Sequence, residues 1–159
     1  MSEIVQLEEK KARLYRALIP LVPRDFRDDL RLLASHAERN MRMLRGIKIQ
    51  TSRVRAVRDV ETAIKFLEKT LEDPEATVED YYKYAIEAEK ASETLYRELS
   101  MKAKDERSRR LFRWLADISA EHAEILERHL EMWRFMQEQV EEDEIPEDLL
   151  EQWFEDIDL

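Results

Sequence analysis

Apolar residues recur at three- and four-residue spacing along most of the chain, and helix punctuation cuts that pattern into five pieces. Ser2 is placed to cap a helix running to Ile19, where Pro20 and Pro23 impose a tight connection. From Asp25 a second stripe (Phe26, Leu30, Leu33, Ala37, Met41, Leu44) predicts a helix ending near Gly46, the only glycine and the expected C-terminal cap. A third helix, about residues 51–72, carries Val54, Val57, Val60, Ile64, Leu67 and Leu71 on one stripe and stops before Asp73-Pro74. Thr77 and Asp80 offer a fresh cap for a fourth, running to about Lys104. After Asp105 a fifth places Leu111, Leu115, Ile118, His122, Ile125, His129, Met132 and Met136 on one face. Residues 140–159 form an acidic tail, in which Leu149, Leu150, Trp153 and Phe154 predict a short amphipathic turn docked near the end.

Laying the first pair of helices on the last pair shows a repeat. An offset of 81 brings Leu7-Glu8, Leu14-Tyr15-Arg16 and Leu18 onto Ala88-Glu89, Leu95-Tyr96-Arg97 and Leu99. One extra residue in the turn makes the offset 82, and Leu30, Leu33-Ala34, Ala37, Asn40 and Leu44 then fall on Phe112, Leu115-Ala116, Ser119, His122 and Leu126. The chain therefore reads as one all-α domain over 1–159: hairpin one at 3–46, a crossover helix at 49–72, hairpin two at 77–139 and the tail. Two such hairpins pack as a four-helix bundle.

Composition agrees and narrows the chemistry. Of 159 residues, 43% are hydrophobic and 40% charged, with one Gly and four Pro, so helix formers dominate. The absence of cysteine removes disulfides, thiolate zinc sites, iron–sulfur clusters and cysteine nucleophiles, so any metal must use Glu, Asp or His. No glycine-rich phosphate loop, Gly-x-Ser-x-Gly or His-Glu-x-x-His is present. No window reaches the ~20 apolar residues of a membrane span, and the N-terminus lacks the basic and apolar regions of a secretion signal, so the expectation is a cytoplasmic protein. Dense charge of both signs with a single Asn fits a thermophile.

The net charge of −10 argues against general nucleic-acid binding, but it is unevenly placed. From Arg39 to Arg58 every charged residue is basic, and from Glu138 to Leu159 every one is acidic. The two segments could pair, or the basic one could face an acidic protein partner. The crossover stripe needs a cover, from its own bundle or from a second subunit, and a homodimer is the expectation.

One glutamate in each hairpin lies where an apolar residue belongs. Glu8 shares a stripe with Ile4 and Tyr15, and Glu89 shares one with Tyr82, Ala85, Ser92 and Tyr96. A buried carboxylate costs several kcal/mol unless paired, protonated or metal-bound. The nearest inward partners are Ala37 and Asn40 in copy one, and Ser119 and His122 in copy two. His36 falls one position off the Ala37 stripe and reads as a boundary residue. His129 sits seven residues after His122 on the same stripe and is expected to bond a carboxylate or water. Trp114, Trp133 and Trp153 are expected to serve packing.

These residues resemble the rubrerythrin branch of the ferritin-like di-iron carboxylate proteins. The likeness spans both hairpins and is strongest from Ala85 to Leu99, where Glu89 is followed seven residues later by Tyr96. In that family two helices give one Glu each and two others give Glu-x-x-His, together holding two metal ions. Glu8, Glu89 and His122 match this pattern, whereas Ala37 and Ser119 replace the expected glutamates and Asn40 a histidine. The resemblance thus implies an incomplete site, with a full di-iron centre disfavoured because two carboxylates neutralise only half the charge of two ferrous ions. Glu38 and Glu121 sit about 100° round their helices from the vacant positions, which makes them poor substitutes. Family members commonly dimerise, and the rubredoxin-like domain that supplies electrons in rubrerythrins needs cysteines this chain does not have.

Three readings stay open from the sequence. A hydrogen-bonded polar layer of Glu8, Asn40, Glu89, Ser119, His122, Tyr15 and Tyr96 could bind nothing and leave a structural or interaction role. A single divalent ion, iron, zinc or manganese, could sit on Glu8, Glu89 and His122. A metal-dependent oxidoreductase, a peroxidase or oxidase with a separate electron donor, is the third.

Overall fold

The structure is a computed structural model that describes residues 2–49 and 54–142, without the side chains of 140–142. Among the described residues, 87% are helical and there is no strand. The helices are α1 (Glu3–Leu18), α2 (Arg27–Leu44), α3 (Ala56–Glu72), α4 (Val78–Lys102) and α5 (Glu106–Glu142).

Local chemistry sets most of the ends. Ser2 accepts from the Val5 amide at 3.3 Å and starts α1. Two 3-10 turns, Ile19–Leu21 and Arg24–Phe26, carry the chain past Pro20 and Pro23 into α2. Thr77 and Asp80 form a reciprocal capping box at the start of α4, and Asp105 accepts from the Ser108 amide at 3.0 Å to start α5. Two expectations are corrected. Gly46 is not a left-handed cap: no described glycine has a positive φ, and α2 ends through the Arg45 amide bonded to the Met41 carbonyl at 3.1 Å. Among the described residues, the crossover helix begins at Ala56. Lys48 and Ile49 are not helical, and Ile47 and Ile49 pack against the core instead, so burial of two β-branched side chains outweighs extending the helix.

α1 packs on α2, α4 packs on α5, and α3 lies against both α4 and α1. The crossover stripe is therefore covered by its own bundle: Val57, Val60, Ile64 and Leu67 are all buried. That removes the uncovered crossover stripe as a ground for expecting a dimer. The amphipathic turn expected around Trp153-Phe154 lies outside the described residues.

The core is continuous through the four bundle helices and α3, with Tyr15, Tyr82, Tyr96, Phe26 and Leu115 among its largest fully buried side chains. Half-buried Trp114 and Trp133 pack against it. At the end of the bundle near the start of α4, His129 stacks on Phe26 at 4.4 Å, meets the Tyr82 hydroxyl at 2.9 Å and binds Asp29 at 2.8 Å. That matches the carboxylate partner expected of His129 and ties α5 to α2 and α4.

Candidate functional site

Glu8 on α1 and Glu89 on α4 are 1% and 0% exposed, so both carboxylates are in the core as the stripes required. Each is held by the tyrosine of the other repeat. Tyr96 donates to Glu8 Oε1 at 2.5 Å, and Tyr15 donates to Glu89 Oε1 in the matching bond. This crossed exchange is what a pseudo-two-fold axis between α1 and α4 produces, and it places the two glutamates on opposite sides of that axis.

The residue between them is a lysine. Lys11, 4% exposed, puts its Nζ 3.0 Å from Glu8 Oε1 and 3.6 Å from Glu89 Oε1, and it donates to Ser92 Oγ at 3.2 Å. Ser92 in turn donates to the Ala88 carbonyl at 2.8 Å. An ammonium has three N–H donors and no acceptor, and here oxygens of Glu8 and Ser92 lie within hydrogen-bond distance while Glu89 is a longer ion-pair partner at 3.6 Å. Ser92 is also the repeat mate of Lys11 at the 81-residue offset. A lysine in one copy and a small hydroxyl in the other let one side chain cross an axis that two lysines could not share.

Lys11 was not among the residues the sequence singled out. The signal was present: Glu8, Lys11 and Tyr15 follow at three- and four-residue steps on one face. A lysine so placed is ordinarily read as a boundary residue with its charge in water.

The charges reinforce one another. Burial opposes ionisation of Glu89, but the Lys11 charge, His122 and the Tyr15 hydroxyl outweigh it and hold its pKa down at about 2. Burial likewise opposes the Lys11 ammonium, and Glu8 and Glu89 together override it, raising Lys11 above its usual value. Burial and the neighbouring carboxylates push both Tyr15 and Tyr96 up, so these phenols stay donors.

His122 on α5 is buried, with Nδ1 3.7 Å from Glu89 Oε1, longer than a hydrogen bond. Its Nε2 lies 2.8 Å from Nδ1 of His36, and the two rings stack at 5.1 Å. His36 is half-buried, as a boundary residue should be, but it is joined to the layer, which the sequence did not indicate. Burial, His122 and Arg39 lower its pKa, with Glu121 acting weakly the other way. Ser119 and Asn40 are buried beside the layer. Glu38 instead pairs with Arg16 at 2.6 Å and Glu121 is exposed, so neither joins the layer.

Whether this layer suits a metal pair can be tested on its donors. Among the described residues, no group of three or more His, Asp or Glu side chains is arranged to hold an ion. The nearest oxygens of Glu8 and Glu89 already face an ammonium, and His122 Nε2 faces His36. Two added divalent ions would raise the local charge to strongly positive in a low-dielectric core, so the residues do not fit a di-iron centre. In the other direction, Glu8 Oε2, Glu89 Oε2 and Asn40 Oδ1 are buried acceptors without a hydrogen-bond partner.

Comparison with known proteins bears on the second hairpin. Residues 80–154 match the family model for rubrerythrin, a span that takes in most of α4 and all of α5. No curated protein and no solved structure matches the chain. The match is that of a rubrerythrin-like ferritin-fold family, and the observed helical bundle is the fold such a domain has.

Proposed function

We propose, from the premise of a rubrerythrin-like ferritin-fold bundle, that the Lys11 ammonium stands in for the family's metal pair and that the protein acts in structure or interaction, not in redox catalysis. The observation that carries this reading is the position of Lys11 Nζ against both carboxylates, within 3.6 Å of each. A metal pair draws such carboxylates together by charge, and a buried ammonium with three oxygen partners does the same without coordination chemistry. The replacement of two expected glutamates by Ala37 and Ser119 supports it, because those carboxylates would have supplied the charge for a second ion. Function then rests on surfaces and not on the buried layer.

The test is reconstitution. Purified protein incubated anaerobically with excess iron(II), zinc(II) or manganese(II) and desalted should retain well under one ion per chain and show no peroxide consumption above free metal. Two ions per chain with peroxide turnover would restore the oxidoreductase.

A second reading, one divalent ion on Glu8, Glu89 and His122, draws support from the two unpartnered carboxylate oxygens, Glu8 Oε2 and Glu89 Oε2. With Lys11 charged, the two ionised glutamates and the ammonium together carry a net charge of only −1, so a divalent ion would have to expel the lysine proton or the lysine itself. One ion per chain, lost in His122→Ala, is the result that would establish it.

A further inference from the structure

The end of the bundle where α2 stops and α5 starts holds an open groove of about 740 Å³. Its floor is apolar, with Ile47, Leu111 and Trp114, and its rim carries Lys48, Arg107 and Arg110 against the single carboxylate of Asp105. Asp105 is already committed to capping α5, and its pKa is lowered by the Ser108 amide and hydroxyl. Arg110 is paired with Glu106 at 3.3 Å, but Lys48 and Arg107 make no ion pair among the described residues. Behind the floor, the Arg39 guanidinium lies 4.5 Å over the Trp114 ring, with Nε and Nη2 buried and without hydrogen-bond partners. An apolar floor under a cationic rim suits an acidic amphipathic segment.

The chain carries such a segment itself. From Glu141 to Leu159 there are ten acidic side chains and no basic one, interleaved with Leu149, Leu150, Trp153 and Phe154 at helical spacing. Length decides which copy it can serve. Trp114 lies 28 residues before Glu142 on α5, about 42 Å of helix at ~1.5 Å per residue. Fully extended at ~3.5 Å per residue, Leu150 reaches about 28 Å beyond Glu142 and Trp153 about 38 Å. Leu149, Leu150 and Trp153 fall short of their own groove even fully extended, and Phe154 would just reach it, at about 42 Å, only with every residue from 143 to 154 extended, which the helical spacing of these side chains opposes.

A second copy removes that difficulty. Two α5 helices laid antiparallel put the end of each, at Glu142, beside the start of the other at Glu106. On the way they can cover Met132 and Phe135, which are 52% and 59% exposed one turn apart on α5. We infer that residues 143–159 of one copy dock in the Ile47–Trp114 groove of a second, giving a reciprocal two-fold dimer held by Trp153 and Phe154 on the floor and by carboxylates on the Lys48 and Arg107 rim. The arrangement is closed, because each copy offers one tail and one groove. It does not depend on whether the polar layer holds a metal.

The test uses full-length chains in sedimentation equilibrium. The wild type should dimerise at micromolar concentration, more weakly as salt is raised. Trp153→Ser/Phe154→Ser and, separately, Lys48→Glu/Arg107→Glu should each weaken the dimer at least tenfold. An equimolar mixture of the two variants should form a heterodimer tighter than either variant alone, since one intact tail then meets one intact groove. Should a variant misfold by circular dichroism, a synthetic peptide of residues 143–159 titrated into wild type should compete the dimer apart. A monomer at every concentration, a dimer indifferent to both variant pairs, or a dimer the peptide does not disturb overturns the proposal. A monomer that still binds the peptide also overturns it, because the occupant would then be another acidic protein.

Discussion

The Tyr96 hydroxyl on α4 donates to Glu8 on α1 at 2.5 Å, across 88 residues of chain, and Tyr15 returns the bond to Glu89. Because the two bonds are related by the repeat, they should be of similar worth. Tyr15→Phe and Tyr96→Phe are each expected to cost about 1–3 kcal/mol, since each leaves a buried carboxylate short of a donor. Urea denaturation measures this, and a loss confined to one of the two variants would show that the pseudo-symmetry is not energetic.

Lys11 is expected to matter more than either tyrosine. Lys11→Met leaves Glu8 and Glu89 as uncompensated buried charges and should cost about 3–5 kcal/mol. Adding Glu8→Gln and Glu89→Gln should recover much of that, because no charge then remains to be offset. Manganese(II) or zinc(II) should raise the melting temperature of Lys11→Met and leave the wild type unchanged. An equal rise in both proteins would mean that metal and lysine do not compete.

Acid should destabilise in two stages. The His36 pKa is lowered on folding, so the unfolded chain takes up the proton first and stability declines as pH falls below about 6.5. The Glu89 pKa is lowered from 4.5 to about 2, so its contribution is present above 4.5 and is lost as pH falls from there toward 2. That second stage is worth about 3 kcal/mol in all. On the alkaline side the raised Lys11 value stabilises fully below 10.5 and fades as pH rises above it. Chemical denaturation from pH 3 to 11 should show the second acid stage reduced in Glu89→Gln and the first reduced in His36→Gln.

Gly46→Ala should be neutral or stabilising by about 0.4–1 kcal/mol, because the glycine has no positive φ and an added Cβ would meet nothing within 4 Å. A loss of more than 1 kcal/mol in thermal or urea melts would mean that the left-handed cap read from the sequence is real in solution.

Within the polar layer, legibility followed the residue type. Glu8 and Glu89 stood out because a carboxylate on an apolar stripe has no cheap solvated alternative once both flanks are buried. Lys11, on the same stripe, did not, because a lysine stem can lie along the core with its charge in water, and only the positions of Glu8, Glu89 and Ser92 decide that it turns inward. His36 went unrecognised as a partner of His122 because the contact joins α2 to α5 across 86 residues and leaves no periodicity within either helix.

The sequence by itself determined the helices, most of their ends, the repeat and the inward glutamates, since each follows from interactions within a few residues or from one stripe's periodicity. The tertiary structure decided the rest: the crossed pairing of Tyr15 with Glu89 and Tyr96 with Glu8, the covering of the α3 stripe by α1 and α4, and above all the cation between the carboxylates. These depend on which faces meet, and the repeat alone leaves that choice open, because two copies of one hairpin could face each other with a metal, a water or a lysine between them. Lys11 opposite Ser92 settles it through volume and charge: one long cationic side chain fills the axis that its repeat mate, a serine, leaves free.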